Sequence, residues 1–340
     1  MYKKYLIFLF FPTILFSESI KIGFGSCFDQ NLSYEIWNKL KKEQLDYFIF
    51  MGDNVYVDRE NHYEDAYIKL FQNSNFKSFL KHTQILAIWD DHDYGKNDAG
   101  KEFKDKNLTK RLFIDYWYKN NSSKIYNELI NKEGIYHSYE IIIKNKKILV
   151  LLLDTRWFRD PLKKQFLPKE TYLPDNNPHK TLIGNLQWEW LEKHFQKKTD
   201  LIILVSSIQI LPEKHRFEKW YNFPLEKERL INLIKKYHIK NIIILSGDRH
   251  FAEISLQYIK DNKYNVPLYE FTSSSLNQEL PVILQQDIKQ NENNSFRISG
   301  PFFQSNYGLI EIKTQNNKII FNIFIKDTQS KTLFNKLLFF

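Results

Sequence analysis

Four times along this 340-residue chain an apolar run of strand type stops at a compact polar cluster: Gly25-Ser26-Cys27, Gly52-Asp53-Asn54-Val55-Tyr56, Trp89-Asp90-Asp91-His92-Asp93 and Ser246-Gly247-Asp248-Arg249-His250. That recurrence is the tightest constraint on the fold. In sheets covered by helices, ligands bind in the crevice beyond the carboxyl ends of the strands, so clusters far apart in sequence can converge on one site. The intervening patterning agrees. Ile20 to Gly25, Tyr47 to Met51 and Gln84 to Trp89 read as strands, and Tyr34 to Leu45 and Ala66 to Leu80 carry helical spacing. Such alternation is the signature of an α/β sheet with covering helices.

Further on, Tyr136 to Ile143 and Lys147 to Asp154 flank Asn145-Lys146 as a hairpin. Helical stretches at Leu186 to Phe195 and Glu226 to Tyr237 alternate with strands at Leu201 to Val205 and Asn241 to Leu245. After His250 come strand-like runs at Ala252 to Tyr258, Leu268 to Thr272, Tyr307 to Lys313 and Ile319 to Ile325, with no strong helix between them. They predict a largely antiparallel sheet in the second half. Phe158 to Thr181 and Gln286 to Ser299, rich in Pro, Asn, Lys and Gln, are expected to be long loops. Two sheets packed face to face with helices outside is the most economical arrangement.

A hydrophobic content of 43% with 16% aromatics excludes a disordered or fibrous chain. The N-terminus reads Met-Tyr-Lys-Lys, then an almost wholly apolar run from Tyr5 to Phe16, then Ser17-Glu18-Ser19, the pattern of a secretory signal cleaved after Ser17 or Ser19. The apolar run is shorter than the roughly 20 residues of a spanning helix. Residues 1–19 are therefore expected as a signal peptide and 20–340 as one catalytic domain, periplasmic or secreted, monomeric and without a stable membrane anchor. The 49 Lys and Arg against 40 Asp and Glu give a net charge of +9, but the lysines are spread along the chain. No dedicated nucleic-acid surface is expected; a mild basic field attracts anionic substrates.

The clusters offer carboxylates, a thiol, a phenol and two imidazoles. Hydrolysing a phosphate ester at neutral pH calls for a hydroxide nucleophile and positive charge on the non-bridging oxygens, and two metal ions provide both. Thiolate and phenolate favour iron or zinc; carboxylate-only positions suit calcium, magnesium or manganese. Each cluster also has a bland alternative: Gly52-Asp53 as a turn, the acidic run as an exposed loop, Asp248-Arg249 as an ion pair, and Cys27 as a core residue. Three carboxylates in four residues after an apolar strand repel one another unless cations or solvent relieve them. Arg156, at the strand end Leu153-Asp154-Thr155-Arg156, and Arg249 are candidate phosphate clamps, with Arg159 behind them. A serine triad from Ser138, His137, His179, His215 and Asn185 lacks a Gly-x-Ser-x-Gly elbow.

Read together, Gly25-Ser26-Cys27, Phe48 to Tyr56, Trp89 to Asp93 with Asn97-Asp98, Leu153 to Arg156, Ser246 to His250 and Glu270 to Ser275 resemble the alkaline phosphatase D (PhoD-like) family of the metallophosphoesterase group. The resemblance implies a four-layer α/β/β/α sandwich and phosphomonoesterase or phosphodiesterase activity. By the family's pattern Asp53 bridges two metals, Cys27, Tyr56 and His250 complete an Fe3+ site, and Asp91 and Asp248 hold Ca2+, with Zn2+, Mn2+ or Mg2+ as alternatives. His92 is then the acid that protonates the leaving alkoxide, Arg156 and Arg249 grip phosphate, and Asn97 holds substrate or calcium. Ser26-Cys27 stands where the wider group has Asp-x-His, which agrees with the PhoD-like branch. The chain is shorter than many family members, with no segment that reads as a separate N-terminal sandwich domain. Phospholipids, nucleotides and cell-wall phosphodiesters are the candidate substrates. Competing readings are a non-catalytic metal-binding exported protein of the same fold and a phospholipase-like phosphodiesterase at membrane surfaces, the latter hinted at by the aromatic segment Phe217 to Phe223.

Overall fold

The structure, a computed structural model, describes residues 19–261, 264–316 and 318–340; apart from Ser19, the expected signal peptide lies outside them. In chain order the elements are β1 Ser19–Gly25, α1 Glu35–Lys42, β2 Tyr47–Met51, α2 Tyr63–Gln72, α3 Ser74–Leu80, β3 Gln84–Ile88, α4 Asp91–Tyr94, α5 Lys106–Tyr118 and α6 Ser123–Ile130. There follow β4 His137–Ile143, β5 Lys146–Leu152, β6 Lys163–Gln165, β7 Thr171–Leu173, α7 Gly184–Phe195, β8 Leu201–Val205, α8 Pro224–Lys236 and β9 Ile242–Ser246. The last part comprises β10 Ala252–Asp261, β11 Tyr264–Ser273, α9 Val282–Asn291, β12 Arg297–Phe302, β13 Asn306–Gln315, β14 Lys318–Asp327 and β15 Thr332–Phe339.

Six strands form one sheet in the order β15-β14-β13-β1-β2-β3, and seven form a second in the order β12-β10-β11-β9-β8-β5-β4. Alternation along the strands builds the layers. On β5, Ile148, Val150 and Leu152 share a core with the first sheet, whereas Leu149 and Leu151 pack with Trp188 and Leu191 of α7 and Leu230 of α8. Tyr47 of β2 meets Tyr139 across the sheets at 5.8 Å between ring centroids, whereas Phe48 and Phe50 turn to Trp37, Phe76, Phe79 and Trp117 on the covering helices. Helices, sheet, sheet and helices thus form the four-layer α/β/β/α sandwich.

Three expectations need correction. Ala66 to Leu80 is not one helix: Asn73 ends α2 in extended conformation and its side chain accepts from Asn75 N and Phe76 N, capping α3. The strands after His250 do not form one sheet. β10 to β12 extend the second sheet, and β13 returns to pair antiparallel with β1, carrying β14 and β15 to the far edge of the first. Gln286 to Ser299 is not a loop throughout, because α9 occupies its first part and β12 its last; Ile288 anchors α9 against Phe251 and Phe303. In Phe158 to Thr181 only the small β6-β7 hairpin is regular. Among the described residues no helix is long and apolar enough to cross a membrane.

Candidate metal centre

Parallel strands of both sheets deliver the polar clusters to one end of the sandwich. β1, β2 and β3 run parallel, as do β5, β8, β9 and β11, and an isolated bridge between Ser26 and Ser274 joins the sheets where the clusters begin. The chain must turn hard there. Cys27 (φ 59°), Asp53 (φ 51°), Asp248 (φ 70°) and His250 (φ 53°) all adopt left-handed backbone, which costs an L-residue roughly 1 kcal/mol or more and collects at functional sites. Neighbouring loops enforce it. Cys27 N donates to Gly52 O, His250 N donates to Ser274 Oγ at 2.8 Å, and Asp98 N donates to Asp91 Oδ2 at 2.7 Å. Asp93 clamps two loops by accepting from Asn54 N, Val55 N and Asp90 N. Gly52 (φ 100°) is required, since a Cβ there would meet Asp90 Cβ at 2.5 Å.

The candidate ligands sort into three overlapping groups. Cys27, Asp53 and His250 place one donor atom each within 4.8 Å of one another, as do Asp53, Asp91 and His92, and as do Asp53, Asp90, Asp91 and Asp248. Asp53 belongs to all three. Tyr56 Oη lies 3.2 Å from His250 Nε2 and Cys27 Sγ lies 3.5 Å from Asp53 Oδ2, so sulfur, phenol, imidazole and carboxylate surround one point.

Electrostatics argue that this point needs cations. Burial pushes the Cys27 thiol up to about 12 and the Asp53 and Asp248 carboxyls well above the usual range, with neighbouring carboxylates adding to the rise for both. Asp91 stays low against its burial because His92 and Arg156 face it. Burial takes His250 down to about 3. Asp90 Oδ2 and Asp91 Oδ1 are buried without a hydrogen-bond partner. Orphaned oxygens and neighbouring acids are what a metal pair would satisfy, so the residues fit the ions that the sequence implies.

Above the cluster opens a cavity of about 420 Å³, lined among others by Asp53, Asp91, His92, Asn97, Asp248, Arg249 and His250. His92 Nδ1 is held 2.8 Å from Asp58 Oδ2, and its ring lies against Tyr56, tilted by 34°, at 4.2 Å between centroids. Arg249 contacts His215 Nδ1 at 3.0 Å and Glu292 Oε2 at 2.5 Å, and it lies over Phe217 and Phe251. Asn97 donates to Asp98 Oδ2 at 2.6 Å.

Arg156 departs from its expected role as a clamp. Its guanidinium has no exposure and is committed to Asp90 (Nε to Oδ1, 2.5 Å) and Glu218 (Nη1 to Oε2, 2.6 Å), beneath the cavity rather than in its wall. Arg159 is likewise buried, on Glu218. The serine triad does not assemble: Ser138 meets His194, His137 meets Tyr118, and His215 meets Arg249. Of the aromatic segment, Phe217 lines the cavity while Trp220 and Phe223 are core. Asp58, Glu218, Glu292 and Ser274 are the functional neighbours that sequence reasoning missed. Only Ser274 carried a signal, inside the motif at Glu270 to Ser275.

Fold and donor set together define a two-sheet α/β protein with a mixed-donor centre suited to two metal ions. The chain belongs to the PhoD-like phosphatases, whose family model matches residues 22–321. It is 23% identical over 295 residues to alkaline phosphatase D of Bacillus subtilis (strain 168), covering 75% of this chain and 50% of that protein, so it spans about half the length of that curated relative. A solved structure titled "Structure of PhoD" superposes with a TM-score of 0.67 at 18% identity, covering 94% of this chain and 72% of the other, and supports the fold.

Proposed function

We propose that this chain is an exported, metal-dependent phosphoesterase that hydrolyses phosphate mono- or diesters. The observation that carries the proposal is Asp53, shared between a sulfur- and nitrogen-containing donor set and an all-carboxylate set at the floor of one cavity. Cys27, Tyr56, Asp53 and His250 suit Fe3+, and Asp53, Asp91 and Asp248 suit Ca2+, with Zn2+, Mn2+ and Mg2+ the alternatives that metal analysis would distinguish. When bound, such ions supply a hydroxide from water at neutral pH and positive charge on the phosphoryl oxygens. The chain's own residues do the rest. Arg249, held by Glu292 and His215, presents its guanidinium to the phosphate, and Asn97, in the lining of the same cavity, orients the substrate. His92 gives a proton to the leaving oxygen, and Asp58 fixes its ring. Phospholipid headgroups, nucleotides and cell-wall phosphodiesters remain the candidate substrates.

Export rests on the pattern of residues 1–19. Cleavage after Ser17 is the better placed site, because Ser19 already pairs with Lys313 in the β1 ladder. The test is hydrolysis of bis-p-nitrophenyl phosphate and its monoester by purified protein supplied with iron and calcium. Turnover is expected, and Asp53→Asn should abolish it. Absence of turnover across the metals named above and across both ester classes would sink the proposal.

A further inference from the structure

Two projections flank the cavity mouth. The β6-β7 hairpin sends Glu170 and Tyr172 into its wall, and the start of α9 contributes Pro281 and Leu284. Lys169 Nζ, on the hairpin, meets Asp287 Oδ1 of α9 at 2.8 Å and ties the two together. Each projection ends in an adjacent pair of large apolar side chains turned to solvent: Phe166 (69% exposed) and Leu167 (79%) on the hairpin tip, Val282 (67%) and Ile283 (75%) on the first turn of α9. Exposure on that scale, twice, around one opening, exceeds the scatter of single surface apolar residues on an ordinary protein.

We propose that these projections dock the cavity mouth onto an anionic lipid bilayer. Charge selects this occupant. The tip reads Lys163-Lys164-Gln165-Phe166-Leu167-Pro168-Lys169, lysines on both sides of the apolar pair in a chain of net charge +9; Lys164 pairs with Glu170 and Lys169 with Asp287, exposed ion pairs of the weak surface kind that lipid phosphates can replace. Apolar side chains enter the boundary between headgroups and acyl chains, while lysine stems follow and leave their ammonium groups at the lipid phosphates. A second copy fits worse. In a two-fold dimer the same patch meets itself, which would set these lysines against lysines. Docking would point the cavity floor at the headgroup layer; it goes beyond the phosphoesterase assignment and does not depend on turnover.

The test is co-sedimentation of the whole chain with vesicles of phosphatidylcholine alone and of equal parts phosphatidylcholine and phosphatidylglycerol. The wild type should bind the anionic vesicles, release with salt, and bind the neutral ones more weakly. Phe166→Ser with Leu167→Ser, and separately Val282→Ser with Ile283→Ser, should each weaken anionic binding by about a hundredfold or more, the scale set by burial of two apolar side chains. Both pairs are exposed and outside the cavity lining, so melting temperature and hydrolysis of a soluble ester should not change. Undiminished binding by both double variants, or no binding by the wild type, would overturn the proposal. So would a concentration-dependent dimer in sedimentation velocity that both double variants abolish, since this would assign the patch to a second copy.

Discussion

Replacing Arg156 with methionine separates two roles that the chemistry of arginine alone leaves open. The guanidinium is fully buried, with Asp90 Oδ1 at 2.5 Å, Glu218 Oε2 at 2.6 Å and Asp91 Oδ1 at 3.8 Å. Methionine fills a similar length but strands Asp90 without a counter-charge, while Glu218 keeps only Arg159 at 3.0 Å. Breaking a buried pair by removing one partner costs about 3–5 kcal/mol, a large share of the roughly 5–15 kcal/mol that holds a protein folded. At about 2 °C per kcal/mol for a large domain, the melting temperature should fall by about 6–10 °C. Asp90 already sits at about 7 through burial, with Arg156 as the main restraint, so it should become protonated in the variant. Thermal denaturation followed by near-ultraviolet circular dichroism provides the assay. Adding Asp90→Asn to the variant should recover part of the loss, because it removes the stranded charge. A clamp would behave otherwise: an unchanged melting temperature with a raised KM for a phosphodiester would refute the supporting role and return Arg156 to the substrate.

Metal binding should invert the effect of Asp53→Asn. In chelator the variant loses one of four buried carboxylates and should melt higher than wild type, whereas in metal it loses the shared ligand and should melt lower; the same order in both conditions would refute the shared role. Glu292→Gln should raise KM for a diester by about tenfold or less with kcat nearly unchanged, since Arg249 keeps His215 but loses its charged restraint; a fall in kcat alone would contradict this. His137, buried against Tyr118 and Ile135, is pulled by burial from 6.5 down to about 4. In that window the unfolded chain binds a proton that the folded chain refuses, so stability is full above pH 6.5 and is lost as pH falls toward 4, by about 3 kcal/mol at 1.36 kcal/mol per pH unit. Melting curves across that range should flatten in His137→Gln, and equal slopes in both proteins would exclude the histidine as their source.

What the sequence made legible follows from the range of each interaction. β2 at Tyr47–Met51 and β8 at Leu201–Val205 have the bounds their apolar runs predicted, because a fully buried strand between polar clusters leaves little choice. Asn73 was less legible: its neighbours keep helical spacing, and only its capping bonds reveal the break. α9 exposes apolar residues at its start and rests on Ile288, so it carries no stripe to recognise. At the centre, strand ends predicted that the clusters would share one end of the sandwich, but not depth. Arg156 follows β5 as Asp53 follows β2, yet it is sealed under the cavity by Asp90 from another sheet and Glu218 from a distant loop, partners that no local pattern announces.

The division of ligands between the sheets has a mechanical consequence. Cys27, Asp53, Tyr56 and Asp91 descend from β1, β2 and β3, whereas Asp248 and His250 descend from β9 in the other sheet. At this end the sheets are joined by the bridge at Ser26 and Ser274, by Ser275 N and Leu276 N donating to Ser26 O, and beneath the cavity by the Arg156–Asp90 pair. Ions held by both sets would link the two sheets where like charges otherwise push them apart, and they would offset the strain of four left-handed residues. Filling the centre and fixing the registry of the sheets would then be one event, so loss of the ions should loosen β1 and β9 together rather than the cavity rim alone.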